Sequence, residues 1–293
     1  MPNHFYPPVG RCIYCGTTLL PAGVQRFGDE HVIPLALGGS LILQEAACRK
    51  CEKVINEEVE APVLLKEWVY LRIKRNFPTR GKSKKRPTHV TLRSRDGAAL
   101  SIPIQDYSTP VPAYKFIAPR ILSGAPRTDN NKHWTMDILT DHESELQMRA
   151  KYPQWDGVHT LIPQPYRFAR LLAKIAYCRA VAEYGIDGFT PLALDVILGQ
   201  SDDYFLTVGG SLESQSAVPG GDHVLDLSLL FRSPRHAHLI VDVRLFSQII
   251  SPAYRVVAGE VNLDNPKHAA VLGKHQSDDK LIAAPKSADG VTR

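Results

Sequence analysis

An α+β fold class follows from three features of this 293-residue chain. Two Cys-x-x-Cys pairs, Cys12/Cys15 and Cys48/Cys51, bracket a turn-rich segment near the amino terminus. A helical apolar stripe recurs at Phe168, Leu171, Leu172, Ile175, Val181 and Ala182, with Gly185 as its stop. After it come four strand-like runs, "DYFLTVGG", "HVLDLSLLF", "AHLIVDVRLFS" and "AYRVVAGE", separated by polar or glycine-rich links that suit an antiparallel meander. The carboxy-terminal portion therefore reads as a mixed helix and antiparallel-strand domain.

The length allows two domains, and 44% hydrophobic against 22% charged residues is an ordinary balance for a chain that buries a core. No apolar run is long enough to span a bilayer, so no membrane partner is expected. The opening "MPNHFYPPVGRC" lacks a basic stretch followed by an apolar one, which points to a cytoplasmic protein with reduced thiols. Charge is uneven. Residues 1–60 hold five Lys/Arg against seven Asp/Glu, whereas residues 61–120 hold thirteen against three, a pattern that suits an anionic partner beside the amino-terminal module.

Four expected units run along the chain: a zinc module at 1–60, a connector of helix, basic loop and hairpin at 61–113, an α+β domain at 114–262, and a weakly ordered tail at 263–293. Within the connector, Lys53 to Phe77 is expected to be mostly helical, with Pro62 kinking or dividing it. The Asp96-Gly97 step between two alternating runs signals a hairpin. Residues 106–165 are punctuated by proline and resist assignment.

Paired C-x-x-C thiolates turn back on one ion and complete a tetrahedral site with Zn–S bonds of about 2.3 Å. A closed four-sulfur shell leaves no open position, so zinc on Cys12, Cys15, Cys48 and Cys51 would be structural. The bland alternative is four buried thiols without metal. Cys178, alone on the apolar helix, reads as a core residue. If zinc staples the two ends, the 32 residues between Cys15 and Cys48 carry the chemistry. They include "FGDEHVIPLALGGSL", a histidine after two acids and before a proline and a Gly-Gly turn.

With "CIYC" before it and "CRKCE" after it, "DEHVIPLALGG" resembles the HNH endonuclease family within the wider ββα-metal nucleases. The likeness covers roughly residues 11–60. The stretches "LAKIAYCRAVAEYGIDGF" and "VDVRLF…PAYRVVAGE" also resemble bacterial HNH proteins with a carboxy-terminal extension. The resemblance implies a β-hairpin and helix around one divalent metal, with His31 as general base and Glu30 as first metal ligand. Two positions depart from the family pattern. The middle residue, usually Asn or His, falls on Leu43, and the last falls on Glu52. Leucine cannot brace the metal loop, so bracing must come from elsewhere. Glu52 would act as a second carboxylate ligand, with Asp29, Glu45 and Asn56 as substitutes. The chemistry is sound apart from the likeness: a neutral imidazole takes a proton from water, and Mg²⁺ or Mn²⁺ prefers carboxylate oxygen. Adjacent residues of an extended strand point opposite ways, so Glu30 and His31 need Pro34 and Gly38-Gly39 to shape their convergence.

Lys74, Arg75, Arg80, Lys82, Lys84, Lys85 and Arg86 form a basic segment suited to phosphate backbone contact, and Phe77 offers a ring for stacking on a base. The bland reading is a solvated basic loop. His236 and His238 read as surface or strand histidines, and Trp134 and Trp155 as packing residues. The expected activity is therefore DNA phosphodiester hydrolysis. Its rivals are a degenerate HNH zinc scaffold that binds nucleic acid or a protein partner without cutting, and a zinc thiol redox protein with reactive, low-pKa thiols. The second half of the chain carries no legible chemistry and would dock a partner or select substrate.

Overall fold

A computed structural model describes residues 2–78, 86–124, 134–159, 163–212, 223–247 and 252–269. The amino-terminal part is a ββα unit: strand β2 (Gly28–His31), strand β3 (Leu41–Ala47) and helix α1 (Arg49–Val54), with strand β1 (His4–Tyr6) parallel to β3 on its other side. The β2–β3 connection is the Pro34 and Gly38-Gly39 turn. Pro34 starts a single helical turn, Gly38 closes it in the left-handed region at φ 83°, and a Cβ at Gly39 would collide with the Ile33 carbonyl.

Helix α1 runs on through two wider, π-type segments, Ile55–Glu60 and Val63–Glu67, into α2 (Val69–Lys74). Pro62 lies between the two segments with helical angles of φ −59° and ψ −40°, so the helix runs through it and the chain leaves helical geometry at Trp68, with φ −114° and ψ 16°. The Asp-Gly hairpin forms with β4 (His89–Arg93) and β5 (Ala99–Pro103). Residues 106–159, unassigned from sequence, contain β6 (Val111–Phe116), a short α3 (Arg120–Ser123), β7 (Trp134–Leu139) and α4 (His142–Lys151). Then comes the long helix α5 (Pro165–Tyr184), its proline in the first turn where no N–H is needed.

Short β8 (Thr190–Pro191) and α6 (Leu194–Ile197) lead to β9 (Val208–Leu212), β10 (His223–Ser233), β11 (His236–Leu245) and β12 (Ala253–Asn262). Strands β10, β11 and β12 form the antiparallel meander. Strand β9 does not extend it in sequence order but pairs with β12, as β8 does. Residues 263–269 fold back beneath β12, with the Asn262 amide donating to His268 Nδ1 at 3.0 Å. The rest of the tail lies outside the described residues.

Helix α5 packs against β11, β12 and the Ile55–Glu60 segment, so it lies between the carboxy-terminal sheet and the ββα unit. One continuous core cluster takes in Cys12, Val32, Leu43 and Trp68 of the amino-terminal part, Phe168 and Tyr177 of α5, and Leu239 and Val256 of the sheet. Trp68 stands edge-on to both Phe168 and Phe246, at 5.5 and 5.4 Å. Each such buried aromatic contributes about 1.5–3 kcal/mol of transfer free energy. Cys178 is in the core as expected, with the Tyr14 hydroxyl 3.5 Å from its sulfur. A smaller cluster under the β4–β5 hairpin holds Ile102, Tyr107, Met148 and Trp155.

Candidate active site

The two Cys pairs converge. Their four sulfurs all lie within 4.8 Å of one another, and the Cys15 and Cys48 sulfurs are 3.8 Å apart. A tetrahedron of Zn–S bonds of about 2.3 Å has S–S edges of about 3.8 Å, so the set fits a zinc ion. Local geometry makes both knuckles. Gly16, at φ 73°, returns its amide to the Cys12 carbonyl, and Cys48 caps α1 by accepting from the Cys51 amide. Burial pushes the Cys12 and Cys51 thiols up. Burial acts upward on Cys48 too, but hydrogen bonds from its neighbours outweigh it and hold that thiol down.

The knuckle fixes the start of α1 under the hairpin, and beside it opens a cleft of about 130 Å³. Asp29, Glu30, His31, Glu52, Asn56 and Glu60 supply its polar lining. Glu30 and His31 are neighbours on β2 and both line the opening, just after an irregular stretch of the ladder. The register moves from Gly28 opposite Ala47 to Glu30 opposite Leu43, so β3 bulges between them. Within the bulge, Glu45 adopts φ 50° and donates its amide to Asp29 Oδ1 at 3.1 Å. Glu45 is thereby a partner of Asp29 and is not among the cleft-lining residues. From α1, Glu52 reaches back over β2, where a Cβ at Gly28 would meet its Oε2 at 3.2 Å.

Carboxylates from Asp29, Glu30, Glu52 and Glu60, with the Asn56 amide, make a hard-oxygen donor set of the kind Mg²⁺ or Mn²⁺ takes. Among the described residues, the four cysteines are the only group of three or more His, Cys, Asp or Glu ligand atoms drawn this close together. The acids therefore line the cleft without forming a closed cage.

Lys174 was not singled out from sequence. It rises from α5 beneath the hairpin, fully buried, with its Nζ 2.8 Å from Glu30 Oε1 and 3.1 Å from Glu60 Oε1. The same ammonium donates to the His31 carbonyl and, at 3.5 Å, to the Val32 carbonyl. Burial alone would lower the Lys174 pKa, but Glu30 and Glu60 overcome it and hold the ammonium charged. The available signal was a lysine three residues after Leu171 and four before Cys178, a charged position inside an apolar helix face.

The basic segment is divided. Arg80, Lys82, Lys84 and Lys85 lie outside the described residues. Lys74 donates to the Tyr107 carbonyl at 2.7 Å, and Arg86 binds Asn76 Oδ1 and the Phe77 carbonyl, so both fold back onto the protein, while Arg75 is exposed. Phe77 does not offer its ring to a base. It is buried, stacked on Phe246 at 6.2 Å, because the Gly38 turn packs against it. Trp155 packs in the smaller cluster, and Trp134 stands edge-on to Tyr114. His238 faces Glu260 across β11 and β12, with Nδ1 3.9 Å from Oε1.

Residues 12–66 match the family model of the HNH endonucleases. The HNH match spans both Cys pairs, the β2–β3 hairpin, α1 and every polar residue of the cleft lining. It supports a nuclease-like function and a nucleic-acid substrate. It ends well before α5, so Lys174 comes from outside the HNH segment. Searches of curated proteins and of solved structures return no match. No helix among the described residues is long and apolar enough to cross a membrane.

Proposed function

We propose that the protein is a metal-dependent endonuclease that hydrolyses phosphodiester bonds in DNA, with the cleft beside the zinc knuckle as its active site. The observation that supports this reading is the convergence of His31, Glu30 and Glu52 on one cleft inside the HNH-matching segment. His31 is the general base. Its imidazole takes a proton from water as the water oxygen bonds to phosphorus, the bond to the leaving sugar oxygen breaks, and that oxygen takes a proton from solvent. Glu30 and Glu52 hold the divalent ion. Mg²⁺ or Mn²⁺ bound there supplies the positive charge that stabilises the phosphate as negative charge builds on it.

Zinc on the four cysteines keeps α1 and the hairpin together and takes no part in the chemistry. A reducing compartment such as the cytoplasm suits this centre, because all four thiols must stay unoxidised to bind. The basic residues 74–86 hold the phosphate backbone without reading sequence.

The test is nicking of supercoiled plasmid with Mg²⁺ or Mn²⁺, comparing wild type with His31→Ala after zinc content is shown to be equal. A general base is worth about 10²–10⁴ in rate, and a loss of that size is expected. No cleavage by zinc-loaded wild type would replace this reading with a scaffold that binds without cutting. Equal cleavage by both proteins would remove His31 from the mechanism.

A further inference from the structure

Lys174 makes four contacts to the floor of the cleft from a helix outside the HNH segment: Glu30, Glu60, and the carbonyls of His31 and Val32. An ammonium with no solvent exposure is costly to bury, and a buried ion pair adds little net stability over apolar packing of similar volume. Packing alone therefore does not account for it, and its contacts with the cleft residues point to a role there. Leu43, at the position that would brace the metal loop, has no polar atom to offer, and Lys174 supplies a polar contact to Glu30, the residue paired with Leu43 across the hairpin. The two carboxylates it joins both line the cleft, and the carbonyl it fixes belongs to His31 itself.

We propose that Lys174 is a positioning residue for the cleft, its ammonium holding Glu30, Glu60 and the His31 backbone in the arrangement that receives a divalent cation. This rests on the nuclease reading for the cation and adds a dependence of the HNH site on helix α5. The single charge of Lys174 faces two acids, so the trio keeps a net negative charge that still attracts a divalent ion. Outer partners that orient a metal ligand typically cost about 10–100-fold in affinity when removed.

Mn²⁺ binding to the full-length zinc-loaded protein, followed by loss of the free-ion paramagnetic resonance signal, tests this without relying on activity. Lys174→Met alone leaves two buried acids without a counter-charge and can unfold the protein. The informative variant is therefore Lys174→Met with Glu60→Gln, which preserves the net charge of the trio, beside Lys174→Arg, which preserves the cation. Zinc content and thermal unfolding confirm the fold of each. The double variant is expected to bind Mn²⁺ about ten-fold or more weakly than Glu60→Gln alone, which accounts for the lost carboxylate, and Lys174→Arg to stay within about three-fold of wild type. A folded double variant that binds as tightly as Glu60→Gln alone would reduce Lys174 to a charge-balancing core residue and leave the nuclease reading intact. Failure of wild type itself to bind Mn²⁺ would overturn both.

Discussion

Leu43 lies directly opposite Glu30 across the β2–β3 hairpin, with its side chain 1% exposed in the core. It is also absent from the cleft lining. The position that the family resemblance marks for a polar brace is here a packing position.

Leu43→Asn should therefore not restore a brace. It should open a small void and bury an amide with no partner, destabilising the protein by about 2–4 kcal/mol. Urea unfolding measures the loss, and a nicking assay at a temperature where the variant is folded should show no gain in rate. A gain would mean that the amide reaches the cleft after all.

The four-cysteine group and the hairpin were legible because their chemistry is local: the Cys-x-x-Cys spacing, Gly16, Pro34 and Gly38-Gly39 each dictate a turn within a few residues. Helix α5 and the β4–β5 hairpin were legible for the same reason, as periodicity and an Asp-Gly step. Lys174 was not. Its partners Glu30 and Glu60 are more than a hundred residues away in the chain, and no local pattern records which element will cover a hairpin. Phe77 shows the converse. Beside a run of cations it suggested a surface ring, while the residue that buries it, Phe246, directly follows β11, far along the chain. Strand β9 was recognisable as a strand, but its pairing with β12 depends on the whole sheet.

Cys48 holds a sulfur of the four-cysteine group and also caps α1; serine keeps an acceptor at the cap, so replacing the sulfur by oxygen isolates the metal duty. Cys48→Ser should abolish stoichiometric zinc, measured by chelator absorbance, and lower the melting temperature by about 10 °C or more, since structural zinc contributes several kcal/mol to folding. If the variant melts like wild type, the four thiols are a core cluster and hold no metal.

The two metals should separate by chelation. A brief EDTA wash should stop nicking and leave zinc content unchanged, because the cleft acids form no closed cage while Cys12 and Cys51 are buried. Added Mg²⁺ should then restore the activity without added zinc. Restoration by Zn²⁺ and not by Mg²⁺ would show that the chelator had reached the knuckle and that the cleft needs no second ion.

Glu67 carries a pH dependence that has nothing to do with catalysis. It ends the second wide helical segment, 8% exposed, with the Tyr114 hydroxyl 3.1 Å from Oε2 and, among the described residues, no hydrogen-bond partner at Oε1. Burial raises its pKa from 4.5 to about 7, and the Tyr114 hydrogen bond offsets only part of that rise. Between those values the folded protein holds a proton that the unfolded chain has released. Stability therefore falls as pH rises through that window, and above it the ionised acid imposes a constant penalty of about 3 kcal/mol. Glutamine mimics the protonated acid at every pH. Glu67→Gln should thus match wild type near pH 5 and exceed it at pH 8, with a melting temperature higher by about 5–10 °C. The same difference at both pH values would mean that Glu67 keeps one protonation state across the range, and that its contact with Tyr114 alone sets its contribution.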